Sequence, residues 1–119
     1  MAIDGDISTV KVLIAALGGE GGGVLTDWIV NAAWAADLPV QSTSIPGLAQ
    51  RTGATTYYIE MQALGETIQR PVMSLYPLAG SVDIMVASEL IEAGRAMQNG
   101  FVTPNCTTLI ASTHRVYAM

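Results

Sequence analysis

A run of glycines near the start of the chain is the first feature whose residue types could do chemistry. The segment Val10–Leu17 is apolar at every position but one, and an apolar pattern at helical spacing follows the glycines. This order is typical of a buried strand, a tight turn and a helix N-terminus. Glycines let a ligand approach the backbone, and the free N–H groups of a helix start favour a negative group. The turn supplies five candidate site residues: Gly18, Gly19, Glu20, Gly21 and Gly22. The alternative interpretation is a turn that only lets helix and sheet pack closely.

Two nucleotide-binding motifs share part of this pattern. Gly18 and Gly23 have the spacing of a nucleotide-hydrolase phosphate loop, but Val24 stands at the required Lys position and excludes that motif. A dinucleotide fingerprint fits only if Ala16 replaces its first glycine, and residues 41–44 hold no carboxylate for a ribose. NAD binding is therefore weakly supported, and a nucleotide- or dinucleotide-binding module stays an alternative.

A second loop, residues 44–55, carries the other candidate site residues. These are Gln50, Arg51, Thr52 and Gly53. The loop is expected to leave the second strand at its carboxyl end, beside the glycine turn, where open α/β sheets bind ligands. There the Arg51 guanidinium is expected to contact a carboxylate or phosphate, the alternative being a solvated loop arginine.

The remaining reactive residue types do not form a recognisable centre. One cysteine, Cys106, and one histidine, His114, are too few for a metal site or for an iron–sulfur cluster held by this chain alone. Cys106 is expected to be an inert core thiol. Asp83, Glu89 and Glu92 are assigned to capping and helix-dipole roles rather than to acid/base chemistry.

Hydrophobic periodicity predicts the elements that position these loops. Strands are expected at about 10–17, 38–43, 55–61, 81–87 and 107–111, helices at about 22–36 and 89–98, and an irregular antiparallel edge strand at about 67–75. The first two strands are expected to form a parallel pair. We therefore predict a three-layer α/β/α domain with a mostly parallel, mixed sheet that is Rossmann-like.

The same periodicity predicts which side chains face the core. In the first helix the expected buried stripe is Val24, Leu25, Trp28, Ile29, Ala32, Ala33 and Ala36. In the second helix it is Leu90, Ile91, Ala93, Gly94 and Met97. Ser88 is the expected N-cap of the second helix. Tyr57 and Tyr58 are expected to point to opposite faces of the sheet.

Length and composition limit the choice of class and partners. The chain of 119 residues fits one domain, residues 1–119, which we expect to be the N-terminal part of a longer polypeptide. Half of the residues are apolar and 13% are charged, so a partner chain or more of its own chain is expected to cover part of the surface. The net charge of −5 and the scattered basic residues make nucleic acid and membranes poor partners. A cytoplasmic location is expected, because the sequence shows neither a signal peptide nor a membrane-spanning run.

Three blocks, in the same order, resemble the gamma domain of the 2-oxoacid:ferredoxin oxidoreductases. They read GGEGGGVLTDWIVNAA, SIPGLAQRTGATTYYIE and VDIMVASELIEAGRA, and they cover most of residues 11–97. Within that family they are most similar to the beta subunit of indolepyruvate oxidoreductases. Glu20 stands where the family usually has Gln, and Thr52-Gly53 stands where Gly-Gly is usual. An acid at position 20 would disfavour an anionic group, such as a CoA phosphate, at that helix start.

The resemblance implies a reaction and a division of labour. The family decarboxylates a 2-oxoacid such as pyruvate with thiamine diphosphate and passes electrons through iron–sulfur clusters to ferredoxin. Indolepyruvate-type members transfer the acyl group to coenzyme A. Thiamine diphosphate, Mg and the clusters are expected on an alpha-type subunit or fused domains, so this chain alone binds no cofactor and is inactive. The loops Gly18–Gly22 and Gln50–Gly53 would form the substrate side of the site, and no catalytic residue is assigned. A non-catalytic interaction domain is a further alternative.

Overall fold

The computed structural model describes residues 8–45, 54–64 and 73–113. These residues form β1 (Ser8–Leu17), α1 (Gly22–Ala35), β2 (Val40–Ile45), β3 (Ala54–Leu64), β4 (Ile84–Ala87), α2 (Leu90–Gln98) and β5 (Thr108–Ala111). The strands and helices expected at these places are confirmed, with ends shifted by up to a few residues. The expected edge strand at 67–75 falls mostly outside the described residues, and residues 73–75 are not a strand.

The five strands form one sheet in the order β2-β3-β1-β4-β5. β1, β4 and β5 run parallel, and β3 runs antiparallel to both β1 and β2. The sheet is therefore mixed, as predicted, but β1 and β2 are not the expected neighbouring pair. The eleven-residue β3, rich in β-branched and aromatic side chains, lies between them and hydrogen-bonds to both.

The two helices lie on opposite faces of the sheet. α1 packs against β1, β2 and β3, over a core built on Val12, Ile14 and Ile59. α2 packs against β4 and β5 over the other core, which contains Leu13 and Met85. The predicted three-layer α/β/α architecture is confirmed. Tyr57 and Tyr58 belong to different cores, so their predicted opposite orientation is confirmed as well.

The predicted helix stripes are partly wrong, because both helices approach the sheet through small residues. The buried residues of α1 are Gly22, Thr26, Val30 and Ala33. Leu25 and Ile29 are half-buried, whereas Val24, Trp28, Ala32 and Ala36 are exposed. The buried residues of α2 are Glu92, Ala93 and Ala96, whereas Leu90, Ile91, Gly94 and Met97 are exposed. The largest apolar side chains of each helix thus lie beside the contact between helix and sheet or face away from the sheet.

Two local assignments also need correction. Glu89, rather than Ser88, occupies the N-cap position of α2, and its side chain makes no capping hydrogen bond. The Ser88 hydroxyl donates instead to Glu20 on another loop. Cys106 is exposed rather than part of the core, because it lies in a turn that precedes β5, with its Sγ 3.4 Å from the carbonyl oxygen of Val82.

Candidate functional site

The turn between β1 and α1 is shaped by backbone conformation. Gly19 and Gly21 both have φ +83°, a left-handed conformation that favours glycine. Gly21 is the N-cap of α1 and accepts a hydrogen bond from the Leu25 N–H at 2.9 Å. A Cβ placed on Gly18, Gly19 or Gly21 would meet no atom within 4 Å. This side of the turn is open, so close packing does not explain its glycines.

Close packing does explain Gly22, the glycine that begins the helix. A Cβ on Gly22 would lie 2.7 Å from the Ala16 Cβ and 2.9 Å from the Tyr57 Cε2. At Gly23 the nearest atom would be the Tyr57 hydroxyl oxygen, at 3.4 Å. The packing interpretation therefore applies to Gly22, whereas the contact at Gly23 is an ordinary van der Waals contact. Gly18, Gly19 and Gly21 lie on the open side of the turn.

Glu20 joins the glycine turn to the loop between β4 and α2. Its Oε1 accepts hydrogen bonds from the Leu17 N–H at 3.1 Å and from the Ser88 hydroxyl at 2.5 Å. The Ser88 N–H in turn donates to the Ala15 carbonyl oxygen at 3.0 Å. The negative group beside this helix start is thus a side chain of the turn itself. Sequence reasoning did not find this bridge, since nothing in the sequence relates positions 20 and 88.

The bridge spans a topological switch point of the sheet. β1 and β4 are parallel neighbours, and the helices that follow them cover opposite faces. Their carboxyl ends are adjacent, and the crevice outside such a pair is where open α/β sheets bind ligands. Glu20 and Ser88 lie in the two loops that leave these ends. The glycine turn therefore lies at the carboxyl edge of the sheet between β1 and β4, and not beside β2 as the sequence predicted.

A pocket of about 460 Å³ opens at this switch point. Its side-chain lining includes Ile14, Ala16, Val24, Leu25, Trp28 and Val86, with Glu20 and Ser88 as its polar groups. A largely apolar cavity with a few polar groups is typical of sites for small organic ligands. This lining suits an uncharged apolar or aromatic group better than a free phosphate.

Gln50, Arg51, Thr52 and Gly53 lie outside the described residues, as does His114. The residues that flank the segment 46–53 are described. Ile45 ends β2, and Ala54, at the start of β3, pairs with Leu17 at the end of β1. Both ends of the segment thus lie at the edge of the sheet that carries the glycine turn.

Comparison with known families decides the assignment. Residues 11–117 match the sequence profile of the pyruvate ferredoxin/flavodoxin oxidoreductase family. The chain belongs to this family. The match includes both the glycine turn and the 46–53 segment, and it supports a 2-oxoacid:ferredoxin oxidoreductase domain of gamma type. A search of individual curated proteins gave no significant match.

This oxidoreductase-family domain also carries a buried polar group on the α2 face of β3. Glu60 is buried, and its Oε1 accepts a 2.6 Å hydrogen bond from the Tyr58 hydroxyl. Its Oε2 accepts from the Ser74 N–H at 2.9 Å. Burial raises the pKa of Tyr58, and the Glu60 carboxylate raises it further. Tyr58 is therefore a hydrogen-bond donor throughout the physiological pH range. The period-2 alternation that separates Tyr57 from Tyr58 could have placed Glu60 on this face.

Glu89 and Glu92 also lie inside the domain. Both are buried, and the Glu92 Oε1 lies 3.8 Å from the Arg95 Nε one turn along α2. Glu92 is in the first turn of α2, where the helix dipole favours a negative charge. Its side chain is nevertheless buried rather than at the surface. Asp83 accepts a hydrogen bond from the Lys11 N–H at 2.8 Å and so holds the start of β4 to β1.

The described residues contain no group of three His, Cys, Asp or Glu side chains placed to hold a metal ion. Neither α1 nor α2 is long and apolar enough to cross a membrane.

Proposed function

We propose that this chain is the gamma-type domain of a thiamine-diphosphate-dependent 2-oxoacid:ferredoxin oxidoreductase acting on an aryl 2-oxoacid of the indolepyruvate type. The overall reaction would release CO₂, pass two electrons to ferredoxin and transfer the acyl group to coenzyme A. The observation that carries the proposal is the apolar pocket beside the open glycine turn at the switch point. Family membership gives the reaction class, and the apolar lining favours an aryl over a short alkyl side chain.

Thiamine diphosphate and its Mg²⁺ do not fit the described residues of this chain. A metal–diphosphate site needs clustered oxygen ligands, and the described residues offer no such group. The carboxylates of Glu20 and Glu60 are already engaged in bonds that hold the fold together. We therefore assign thiamine diphosphate and the iron–sulfur clusters to an alpha-type subunit or to fused domains, and no chemical step to this chain.

The proposed role of this chain is to bind and to orient. The open turn, Gly18–Gly21, would let substrate or coenzyme A lie against the main chain, and the pocket would hold an apolar group away from water. Gln50, Arg51, Thr52 and Gly53 are proposed to complete the substrate side, with the Arg51 guanidinium facing a carboxylate or phosphate.

A matched pair of glycine variants tests this role. Gly18→Ala places a methyl group where no atom lies within 4 Å and where φ is not positive, so folding should be unaffected. If a ligand lies against the turn, turnover of the reconstituted assembly should still fall by roughly tenfold or more, because displacement of about 1 Å can cost two orders of magnitude. Gly22→Ala should instead lower stability and turnover together, because its Cβ would lie 2.7 Å from Ala16.

The assay follows ferredoxin reduction with indolepyruvate and with pyruvate as substrates, alongside the thermal midpoint of the assembly. Unchanged turnover in a well-folded Gly18→Ala assembly would remove the turn from the substrate side. Faster turnover of pyruvate than of indolepyruvate by the parent assembly would refute the aryl specificity and leave the family assignment intact.

A further inference from the structure

The pocket at the switch point, which we call the switch-point pocket, has side-chain oxygen atoms at one end only. Its walls are aliphatic side chains and Trp28. Among the described residues that line it, Glu20 and Ser88 alone carry a side-chain oxygen, and they lie in the loops that leave the carboxyl ends of β1 and β4. A ligand that fills the pocket therefore meets these oxygen atoms at the carboxyl edge of the sheet.

The hydrogen atom of the Ser88 hydroxyl is already used within the protein. It is donated to the Glu20 Oε1 at 2.5 Å. A serine hydroxyl has one hydrogen and two lone pairs, and the Leu17 N–H, 3.4 Å from the Ser88 Oγ, is shared with the Glu20 Oε1 at 3.1 Å. At least one lone pair of the Ser88 Oγ is thus open to a ligand. Because the hydroxyl donates to a carboxylate, it is polarised and its oxygen is a stronger acceptor.

Backbone hydrogen bonds hold both ends of this arrangement in place. The Ser88 N–H donates to the Ala15 carbonyl oxygen at 3.0 Å. The Glu20 N–H donates to the Leu17 carbonyl oxygen at 3.0 Å as well. Ala15 is itself paired in register with Ala87, the residue before Ser88. The acceptor is therefore preorganised, so a ligand does not have to order it on binding.

A preorganised acceptor beside an apolar cavity selects for a particular ligand chemistry. The aliphatic walls and Trp28 favour an aromatic ring, and the volume of about 460 Å³ lies within the range of sites for small organic ligands. A ring N–H or O–H group can pair with the Ser88 Oγ, whereas a ring without such a group leaves this acceptor unpaired. Sites that hydrogen-bond a substrate in this way discriminate against the analogue that lacks the donor.

We propose that Ser88 is a specificity-determining residue, and that the switch-point pocket takes an aromatic side chain whose ring carries an N–H or O–H donor, as an indole or a hydroxyphenyl group does. The Ser88 Oγ accepts that hydrogen, and Glu20 keeps the Ser88 hydroxyl turned so that it can accept. This inference rests on the proposed function, because the ring belongs to the 2-oxoacid. It goes further by naming the acceptor and the group on the ring.

A matched pair of substrates tests the acceptor in the reconstituted assembly. The pair is indolepyruvate and its benzothiophene analogue, in which a sulfur atom replaces the ring N–H. The ratio of their kcat/KM values should fall by roughly three- to tenfold from the parent to Ser88→Ala, the size expected of one hydrogen bond at a half-buried site. Ser88→Thr retains a hydroxyl and should keep most of the ratio. Because each ratio is taken within one variant, general damage to folding or to the Glu20–Ser88 bridge cancels.

Ser81→Ala is the matched control. The Ser81 hydroxyl donates to the Leu78 carbonyl oxygen at 2.8 Å, and Ser81 precedes β4 whereas Ser88 follows it, so the two serines lie at opposite edges of the sheet. The ratio should change less than about twofold in this variant. Equal ratios in the parent and in Ser88→Ala would overturn the proposal, and this is also the result expected if protein fills the pocket in the assembly.

The outcomes separate this inference from the proposed function. An assembly that reduces ferredoxin with both substrates, but whose ratio does not depend on Ser88, refutes the inference alone. Direct binding of free indole and free benzothiophene to the same assembly gives the second readout. An assembly that reduces ferredoxin with neither substrate, yet prefers indole to benzothiophene only when Ser88 is present, refutes the proposed function and retains Ser88 as the acceptor.

Discussion

Removing the Glu20–Ser88 bridge should loosen the glycine turn without unfolding the domain. Glu20→Ala removes an acceptor that receives the Leu17 N–H at 3.1 Å and the Ser88 hydroxyl at 2.5 Å. Bonds to a charged group are worth about 1.5–3 kcal/mol each when sheltered, but Glu20 is exposed, so we expect a local loss of about 1–2 kcal/mol. Glu20→Gln retains a neutral acceptor and should lose about half as much.

The amide of Leu17 reports this loss directly, because its hydrogen donates to the Glu20 carboxylate. A local loss of 1–2 kcal/mol corresponds to roughly five- to thirtyfold faster hydrogen exchange at that amide. The Leu13 amide in the middle of β1 is the internal control and should not change. Ser88→Ala should accelerate hydrogen exchange at the Leu17 amide less than Glu20→Ala does, because the Ser88 hydroxyl oxygen lies farther from that N–H, at 3.4 Å.

A double-mutant cycle measures the bridge itself. If Glu20 and Ser88 act as one unit, the double variant should cost less than the sum of the single variants, with a coupling of at least about 0.5 kcal/mol. Additive effects, within the error of the exchange measurement, would refute the bridge. Unchanged exchange at Leu17 in Glu20→Ala would refute the role of the carboxylate altogether.

Two further predictions concern the core. The pKa of Tyr58 is raised in the folded state above its ordinary value of 10.0. Above pH 10 the unfolded chain therefore loses the Tyr58 proton while the folded chain keeps it. The free energy of unfolding should be unaffected by this group below pH 10 and should fall as the pH rises above 10. Tyr58→Phe should remove up to about 1.4 kcal/mol per pH unit of that alkaline slope in chemical denaturation, and an unchanged slope would contradict the assignment. Met85→Ala, at a side chain 1% exposed, should cost about 2–5 kcal/mol in unfolding free energy, whereas Met97→Ala, at 53% exposure, should cost less than about 0.5 kcal/mol. Similar losses in the two methionine variants would mean that the outward face of α2 is wrongly placed.

The elements of this fold could be predicted from the sequence because each has a strong local signal. Val10–Leu17 is apolar except at Lys11 and is followed by glycines, and residues 54–64 are rich in β-branched and aromatic residues, so both strands formed where expected. The order of the strands could not be predicted, because it depends on β3 entering between β1 and β2. β3 pairs with β1 along its whole length and with β2 from Thr56 to Met61, and no local sequence pattern predicts these pairings.

The orientation of the helices was harder to predict for a related reason. A hydrophobic stripe assumes that the largest apolar residues face the sheet, but α1 contacts it through Gly22 and Ala33 and α2 through Ala93 and Ala96. Small residues permit the close approach that the Gly22 contacts require. Trp28 and Met97 are then left exposed.

The glycine turn shows what sequence and structure each contribute to a site. The sequence located the turn at the carboxyl edge of β1, and the structure confirms that location. Only the structure separates Gly18, Gly19 and Gly21, whose sites are open, from Gly22, which is packed against Ala16 and Tyr57. It also shows that Glu20 turns back to hold the loop after β4. Glu20 is the one residue of positions 18–21 that has a side chain, and that side chain is the group that ties the turn to its neighbour. The Glu20–Ser88 hydrogen bond holds the glycine turn to the loop after β4, and the outer side of the turn stays open.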